Sequence, residues 1–270
     1  MNIDLKYRQF IPEARRIVVK IGTRVIAQKT GRPDLPQMRR LAAQVSALHR
    51  AGYQVVLVSS GAIGAGMAAL GIATRPKEVP DLQMCAAVGQ ARLMALYEEL
   101  FQSSKIRIGQ VLLTHDDFEN RIRHSNARRT MEHLLRNGVI PIINENDTVA
   151  TDEIAVGDND TLGAIVSVNV GADLLVMLTD IDGLYTADPH TDGSARILHE
   201  VAAITPEIRA LGGGSVSGLG TGGMATKLGA AERCVNAGID VVIANGAEPQ
   251  NLYAIVEGKP VGTRFLGAKG

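Results

Sequence analysis

Short apolar runs alternate with longer amphipathic segments along most of the chain. The short runs are rich in Val, Ile and Leu, a composition typical of strands buried in a parallel sheet. The longer segments repeat their apolar positions with helical periodicity. The predicted strands are residues 17–21, 55–59, 139–143, 174–178, 241–244 and 263–266, and the predicted helices are residues 35–51, 82–101, 125–137 and 225–237.

Glycines mark the ends of three predicted helices. Gly52, Gly138 and Gly238 each come just after a helical segment and shortly before a strand, where a left-handed cap is expected. This alternation predicts an α/β fold, with a parallel sheet that carries helices on both faces. Ligands bind such sheets at the carboxyl ends of the strands.

Composition excludes several classes of protein. A hydrophobic fraction of 46% with 21% charged residues is ordinary for a folded enzyme and argues against a disordered chain. The 28 acidic and 28 basic residues balance, and aromatic residues make up only 3%. We therefore expect neither a basic surface for nucleic acid nor stacking platforms for single strands.

The cysteines and the N-terminal segment predict a cytoplasmic protein. Cys85 and Cys234 lie in apolar stretches, which favours free buried thiols in a reducing compartment over a disulfide. Histidine and cysteine show no zinc-ligand spacing. The first residues contain no apolar signal segment, and no later stretch approaches a membrane span.

Two predicted strands end in turns that suit anion binding. Lys20 lies inside an apolar strand and is followed by Gly22 and Thr23; such a lysine needs a partner or a polar crevice. An edge lysine that reaches solvent is the alternative. Residues 59–66 read SSGAIGAG, so Ser60 and Gly61 stand where a helix start presents free N–H groups. A close strand–helix turn explains this second segment equally well, and it does not fit the dinucleotide fingerprint.

Polar residues are concentrated after the strand at 139–143. Residues 144–147 read NEND and residues 157–160 read GDND. A solvated acidic loop is one interpretation. We favour a pocket whose amides and carboxylates hold an α-amino group, with Asp160 also able to hold a lysine or a metal.

A glycine-rich segment, residues 217–227, reads SGLGTGGMATK. It is not a Walker A loop, because Met224 stands where that motif needs lysine. Ending in Lys227 at a predicted helix start, it can still cradle phosphates through backbone N–H groups, although a flexible loop is the alternative. Thr179 and Asp180 follow the strand at 174–178 and complete a predicted nucleotide site. The basic stretch at 121–129 is interpreted as a solvated helix face rather than a substrate or subunit contact.

These groups suit phosphoryl transfer to a carboxylate. A glutamate side chain has a pKa of about 4.3, is ionised at neutral pH and needs no general base. None of the four segments contains histidine. Catalysis must then come from alignment and positive charge. We expect Lys20 and Lys227 to contact the transferring phosphate, with Asp160 holding both.

Together, the segments resemble the amino-acid kinase superfamily and, within it, the glutamate 5-kinases. The resemblance runs from about residue 17 to residue 265 and is carried, in the family's order, by VVKIGT, VSSGAIGAG, CAAVGQ, INENDTVAT, VGDND, LTDIDGLYTADP and SGLGTGGMATK. It implies an α/β/α sandwich around a largely parallel sheet. It also implies a single kinase domain over residues 1–270. Because the carboxylate-rich segments precede the glycine-rich loop, we expect a soft boundary near residue 172, between an amino-acid-binding half at about 1–171 and a nucleotide-binding half at about 172–270.

The resemblance also assigns roles to residues. It implies that Lys20, Lys227 and Asp160 are catalytic, and that glutamate is bound by Ser60, Gly61, Asp147, Asp158 and Asn159. It implies ATP contacts from Lys20, Gly22, Thr179, Asp180, Thr221, Gly222, Gly223, Met224, Ala225, Thr226 and Lys227. Metal ligands are not assigned.

The same resemblance implies a cofactor and partners. ATP with Mg²⁺ would phosphorylate the side-chain carboxylate of L-glutamate to L-glutamyl 5-phosphate, the first step of proline biosynthesis. Proline is expected as feedback inhibitor, glutamyl phosphate reductase as a transient partner, and a homo-oligomer as the assembly. No nucleic-acid or membrane partner is expected.

Two features depart from the family. Arg24 stands in VVKIGTRVI where the family usually has a small residue, so an extra positive charge either lies near the phosphates or points outward. The C-terminal PUA domain of many bacterial members is not present in this sequence. A sibling kinase acting on UMP or acetylglutamate, and an amino-acid sensor without turnover, are the alternative functions.

Overall fold

The computed structural model describes residues 14–28, 30–149, 159–189, 191–213, 223–248 and 250–268. The strands of this part of the chain are β1 (Arg16–Ile21), β2 (Gln54–Val58), β3 (Arg107–Leu113), β4 (Val139–Glu145), β5 (Leu174–Thr179), β6 (Glu200–Val201), β7 (Asp240–Asn245) and β8 (Thr263–Phe265). Its helices are α1 (Thr23–Ile26), α2 (Leu35–Arg50), α3 (Ala62–Leu70), α4 (Val79–Gln102), α5 (His115–Glu119), α6 (Arg121–Arg136), α7 (Asn159–Val170), α8 (Pro206–Leu211), α9 (Met224–Asn236) and α10 (Asn251–Val256).

The eight strands form one sheet in the order β3-β4-β2-β1-β5-β7-β8-β6. Every pairing is parallel except that between β7 and β8. β1 lies at the centre, where Lys20 pairs with Val58 of β2 on one side and Met177 of β5 on the other. The strands that follow β1 in the chain are first added on its β2 side, and β5 and later strands are added on its other side. At such a change of side, ligands are expected to bind in a crevice at the carboxyl ends of the neighbouring strands, here β1 and β5.

Alternating side chains of β1 build a core on each face of the sheet. Ile17, Val19 and Ile21 pack with α2, α4 and α10, whereas Val18 packs with α6, α7 and α9. The predicted α/β/α sandwich around a largely parallel sheet is thus confirmed. No helix within the described ranges has both the length and the apolar character that crossing a bilayer requires.

The predicted helix ends are also confirmed where glycine caps them. Gly52, Gly138 and Gly238 have φ values of 91°, 67° and 79°, a conformation that only glycine adopts without strain. At the other end of α2, the Asp34 side chain accepts a hydrogen bond from the backbone N–H of Gln37 at 3.1 Å. Helix boundaries therefore follow local capping chemistry.

Helices α3 and α4 approach each other closely because glycine lies at their contact. A Cβ added to Gly66 would lie 1.7 Å from the Cys85 carbonyl oxygen, and one added to Gly89 would lie 1.7 Å from that of Ala62. The backbones are in direct contact at both points, so the loop that begins α3 is fixed against α4.

Several elements were not predicted from sequence, among them β3 and α7. β3 lies at the edge of the sheet with partly exposed side chains, so it lacks the continuous apolar run of a buried strand. α7 begins at Asn159, inside the polar segment interpreted as a pocket loop. The half-boundary near residue 172 stays a prediction, and β1 and β5, which come from either side of it, are hydrogen-bonded neighbours.

Candidate active site

Lys20 points into the layer that contains α7 and α9. It follows Val19 in β1 and therefore lies on the same face of the sheet as Val18. Its side chain is buried, and its Nζ donates a hydrogen bond to Asp160 Oδ1. The alternative of an edge lysine that reaches solvent is therefore wrong.

Asp160 joins two lysines that are far apart in the chain. Its Oδ1 accepts from Lys20, and its Oδ2 accepts from Lys227 Nζ at 3.0 Å. Asp160 is 0% exposed, and the two lysines are 6% and 5% exposed. The approach is close because Gly163 faces β1, where an added Cβ would lie 3.2 Å from Lys20 Cβ.

The two ammonium groups keep Asp160 ionised. Burial alone would raise the pKa of this carboxyl group, but the charges and hydrogen bonds of Lys20 and Lys227 outweigh burial and hold the pKa below its ordinary value. The carboxylate is therefore a fixed anchor for two positive charges at the carboxyl end of β1. We call Lys20, Asp160 and Lys227 the ion cluster.

The first turn of α9 contacts the ion cluster directly. Thr226 Oγ1 lies 3.2 Å from Asp160 Oδ2 and 2.9 Å from the Gly223 carbonyl oxygen, and its hydroxyl can donate a hydrogen bond to either. Gly223 is the N-cap of α9, and Met224 and Ala225 begin the helix. The predicted phosphate loop thus ends where backbone N–H groups lie beside two lysines, an arrangement suited to an anion.

A second polar cluster adjoins the first, because Asn159 immediately precedes Asp160. The buried Asn159 Nδ2 lies 2.6 Å from the Ser59 carbonyl oxygen, 3.1 Å from Ser60 Oγ and 3.0 Å from Asn144 Oδ1. Two amide hydrogens are shared among three acceptors. The carboxyl ends of β2 and β4 and the start of α7 are thereby joined. We call these four residues the amide cluster.

The turn that presents Ser60 depends on Gly61. Gly61 has φ 93° and is the N-cap of α3, a left-handed conformation that disfavours other residues. Ser60 and Gly61 therefore lie at the amide cluster, as the sequence predicted for two members of the substrate pocket.

Two further residues, Gln90 and Tyr97, support the amide cluster and were not selected from sequence. Asn144 Nδ2 donates to Gln90 Oε1 at 2.9 Å. The hydroxyl of the buried Tyr97 lies 2.8 Å from Ser59 Oγ, and burial raises the pKa of Tyr97 to about 12, so the phenol stays protonated. Asn144 and Gln90 lie within the INEND and CAAVGQ motifs, whereas Tyr97 occupies an ordinary core position of α4 that no motif marks.

Asp147 lies in the turn after β4, beyond the amide cluster. Burial raises its pKa to about 6, against the lowering effect of the nearby Arg75 charge. The carboxyl group therefore changes its charge close to neutral pH, which makes it a titratable member of the predicted glutamate pocket.

The predicted nucleotide residues lie where β1 and β5 end side by side. The Gly22 N–H donates to the Leu178 carbonyl oxygen at 2.9 Å. Thr179 Oγ1 donates to Asp180 Oδ1 at 3.1 Å, and Asp180 Oδ2 accepts from an Arg24 Nη at 2.5 Å. Arg24 thus lies beside the predicted nucleotide residues.

Some predicted site residues lie outside the described residues, namely Asp158, Thr221 and Gly222. The basic stretch at 121–129 falls on α6, whose side chains there are mostly exposed. Within the described ranges, no group of three or more His, Cys, Asp and Glu side chains has an arrangement that could hold a metal ion.

Comparison with known proteins identifies the family of this sandwich. Residues 15–245 match the model of the Amino acid kinase family. The chain belongs to the amino acid kinase family. Two solved structures share its fold, each with a TM-score of 0.65: a UMP kinase from Bacillus anthracis (14% identity, covering 95% of this chain and 97% of that one) and a carbamate kinase from Giardia lamblia bound to AMP-PNP (20% identity, 94% and 99%).

Curated relatives within this amino acid kinase family share about half of their aligned residues with the chain. Glutamate 5-kinase from Citrifermentans bemidjiense is 49% identical over 261 residues, which is 97% of this chain and 70% of the relative. The enzyme from Carboxydothermus hydrogenoformans is 51% identical over 263 residues, again 97% and 70%. That from Serratia marcescens is 50% identical over 252 residues, 93% and 69%. The predicted resemblance to glutamate 5-kinases is confirmed, and with it the expectation of a kinase.

Proposed function

We propose that the chain transfers the γ-phosphoryl group of ATP to the side-chain carboxylate of L-glutamate and forms L-glutamyl 5-phosphate. The observation that carries this proposal is the junction of the two clusters at α7. Asn159 belongs to the amide cluster and Asp160 anchors two lysines, which supports an amino-acid pocket and a phosphate-binding charge next to each other. Curated relatives about half identical to this chain are glutamate 5-kinases, which supports glutamate as the acceptor.

The acceptor side of the proposed site is built from amides and carboxylates. Ser60 and Asn159 offer polar groups to the glutamate carboxylates, and Asp147 offers a carboxylate to the α-ammonium group. We propose that Gly61 and Asp158 complete this pocket. Fixed donors of this kind orient the acceptor and reduce the entropic cost of reaching the transfer geometry.

The donor side is assigned to the ends of β1 and β5 and the start of α9. We propose that residues 221–227 cradle the triphosphate through backbone N–H groups, and that Gly22, Thr179 and Asp180 line the rest of the nucleotide site. The free N–H groups of the first helical turn and the helix dipole both favour an anion at that position.

Transfer then proceeds in line without a general base. The glutamate carboxylate is ionised at neutral pH, so the obstacle is its repulsion from the triphosphate. We propose that Lys20 and Lys227 offset that repulsion and stabilise the charge of the transferred group, while Asp160 fixes both ammonium groups before substrate arrives. Charge placed in advance within a buried site costs no reorganisation during the reaction.

Mg²⁺ is proposed to accompany ATP and, when bound, to neutralise part of the phosphate charge. Both carboxylate oxygens of Asp160 are already engaged by lysines. This favours a metal held chiefly through phosphate oxygens, the usual way in which Mg²⁺ enters kinase sites, over one chelated by Asp160.

The remaining proposals concern a partner, the regulation and the assembly of the enzyme. An acyl phosphate is short-lived in water, so we propose that a reductase, glutamyl phosphate reductase, consumes it, within proline biosynthesis in the cytoplasm. We further propose feedback inhibition by proline near the glutamate pocket, and a homo-oligomeric assembly.

The test is ADP release from Mg-ATP and L-glutamate with hydroxylamine present to trap the acyl phosphate as its hydroxamate. We expect hydroxamate in step with ADP, and neither product with D-glutamate or UMP. ADP release with UMP would instead support a sibling kinase. A thermal shift with glutamate but no ADP would support an amino-acid sensor, and either result would overturn the proposal.

A further inference from the structure

Arg24 is a charged residue that the phosphoryl-transfer scheme does not use. It lies in α1, immediately after the turn that follows Lys20, and its guanidinium donates to Asp180 Oδ2 at 2.5 Å. The side chains of Arg24 and Asp180 are 43% and 39% exposed. The pair therefore lies at the mouth of the crevice and not inside the core.

The backbone around Arg24 fixes this placement. The Gly22 N–H bonds to the Leu178 carbonyl oxygen at 2.9 Å, and a Cβ at Gly22 would lie 3.1 Å from that oxygen. Val25 and Ile26 are buried, so they anchor the inner side of α1. With its neighbours held on the sheet, Arg24 is directed toward the end of β5.

Asp180 is held from two sides. Thr179 Oγ1 donates to its Oδ1 and Arg24 to its Oδ2. Partial burial tends to raise the pKa of Asp180, but the hydrogen bond and charge of Arg24, together with hydrogen bonds from the backbone and Thr179, outweigh burial and hold this pKa below its ordinary value. The carboxylate is therefore ionised and has a fixed orientation at neutral pH.

We propose that Arg24 is a positioning residue for the nucleoside triphosphate, acting through Asp180. By pairing with Asp180, Arg24 holds that carboxylate in one orientation and offsets its negative charge at the entrance taken by the polyphosphate. This inference rests on the proposed function, in which Asp180 lines the nucleotide site. Without the arginine, the ionised carboxylate repels the incoming triphosphate and moves among several rotamers.

The effect belongs to nucleotide binding and not to the chemical step. Arg24→Ser should raise the KM for ATP by about two- to five-fold, the range expected for an exposed ion pair. The KM for glutamate should stay unchanged and kcat should stay within about two-fold, because no contact to the transferred group is removed. Arg24→Lys should recover part of the loss, since it keeps the charge but not the fork geometry.

The matched control is Arg39→Ser, which removes the same charge from an exposed position on α2. It should leave both KM values and kcat unchanged. Melting temperatures should stay near that of the wild type for both variants, because exposed charges contribute little to stability. A KM for ATP that is equal in wild type and Arg24→Ser would overturn the proposal.

Asp180→Asn decides whether Arg24 acts through its partner. In that background, Arg24→Ser should have no further effect on the KM for ATP, because the charge to be offset is already gone. An increase as large as in the wild-type background would mean that Arg24 acts on its own, and would contradict the proposal.

Calorimetric binding of AMP-PNP separates this inference from the proposed function. The affinity should fall by about two- to five-fold in Arg24→Ser but not in Arg39→Ser, whether or not the protein phosphorylates glutamate. Absence of hydroxamate with that affinity pattern would sink the proposed function alone. Formation of hydroxamate with equal AMP-PNP affinities would sink only the role of Arg24.

Discussion

Burying Lys20, Asp160 and Lys227 together costs desolvation free energy, which their mutual contacts help to offset. Each lysine depends on the same carboxylate, whereas Asp160 retains one lysine when the other is removed. The three side chains are therefore unequal in what they contribute to stability and to the proposed reaction.

Lys227→Met and Asp160→Asn should separate these contributions. Lys227→Met should lower kcat by about 100-fold or more, the usual result of removing one donor to transition-state charge, while Asp160 keeps its contact with Lys20. Asp160→Asn should also destabilise the fold by about 3–5 kcal/mol, because two buried ammonium groups lose their counterion. Urea unfolding and coupled ADP assays would measure both effects.

Lys259→Met, at an exposed lysine, is the matched control and should change neither quantity. A Lys227→Met protein that loses stability as steeply as Asp160→Asn would contradict a catalytic role for Lys227.

The raised pKa of Asp147 leads to a prediction of how glutamate binding depends on pH. With a pKa near 6, Asp147 loses its charge as the pH falls through that value, so the KM for glutamate should rise there. Asp147→Asn should show a high KM that lacks this pH dependence. Steady-state kinetics at several pH values would test it, and a wild-type KM that stays flat through pH 6 would exclude Asp147 as the ammonium partner.

Protonation of Asp147 should weaken glutamate binding but increase the stability of the fold. A raised pKa means that the folded state binds the proton more tightly than the unfolded state, whose pKa is near 3.8. Ionised Asp147 therefore costs stability above its folded pKa, and this cost disappears below the unfolded pKa. Asp147→Asn should melt higher than wild type at pH above 6 and equally at pH below 3.8.

At the scale of elements, the contact between α3 and α4 decides where the Ser60 turn lies. Gly89→Ala would place a methyl group 1.7 Å from the Ala62 carbonyl oxygen, so the helices must separate. We expect a loss of about 3 kcal/mol in the free energy of unfolding, together with a higher KM for glutamate, because Ala62 begins α3 directly after the turn.

Gly229→Ala is the control for this change. Gly229 is an exposed glycine of α9 with open space around a Cβ. Alanine there should stabilise the protein by about 0.5–1 kcal/mol through helix propensity alone. Equal unfolding free energies for Gly89→Ala and wild type would show that the helix contact is adaptable.

The sequence predicted the elements that carry local signals. Buried strands such as β1 and β5 are continuous apolar runs, and Gly138 ends a helix by a conformation that can be recognised locally. β3 escaped because its exposed edge and Gly109 interrupt the apolar pattern. The start of α7 was not predicted, because Asn159 and Asp160 were interpreted as residues of a pocket loop, whereas they are also the first residues of a helix.

Contacts between residues far apart in the chain were likewise predictable only where a general rule of the fold applies. The ends of parallel strands meet at one edge of a sheet, so a crevice containing Lys20 and Thr179 could be predicted. The hydroxyl contact between Tyr97 and Ser59 could not, because a core tyrosine carries no sign of its partner. Whether Arg24 faces the crevice or points outward could not be predicted either, because its direction is set by the packing of α1 on the sheet.

At the scale of the whole molecule, the pairing of β1 with β5 joins the two proposed halves into one sheet. We expect a single calorimetric unfolding transition, because neither half can expose its central strand without losing a buried neighbour. AMP-PNP and glutamate should each raise the temperature of that one transition, because each ligand at 100 times its Kd adds about 2.7 kcal/mol to the free energy of unfolding. Two resolved transitions, with each ligand moving a different one, would contradict this cooperativity.

The central position of β1 also has a consequence for synthesis on the ribosome. Ile17–Ile21 leaves the ribosome early, but its neighbour Leu174–Leu178 follows roughly 150 residues later, a delay of about 8 to 30 seconds at elongation rates of about 5–20 residues per second. During that interval, one side of an apolar strand has no covering neighbour and is open to pairing with other nascent chains. Faster elongation through the first 180 or so codons would shorten this exposure, whereas pauses before β5 would prolong it and favour aggregation.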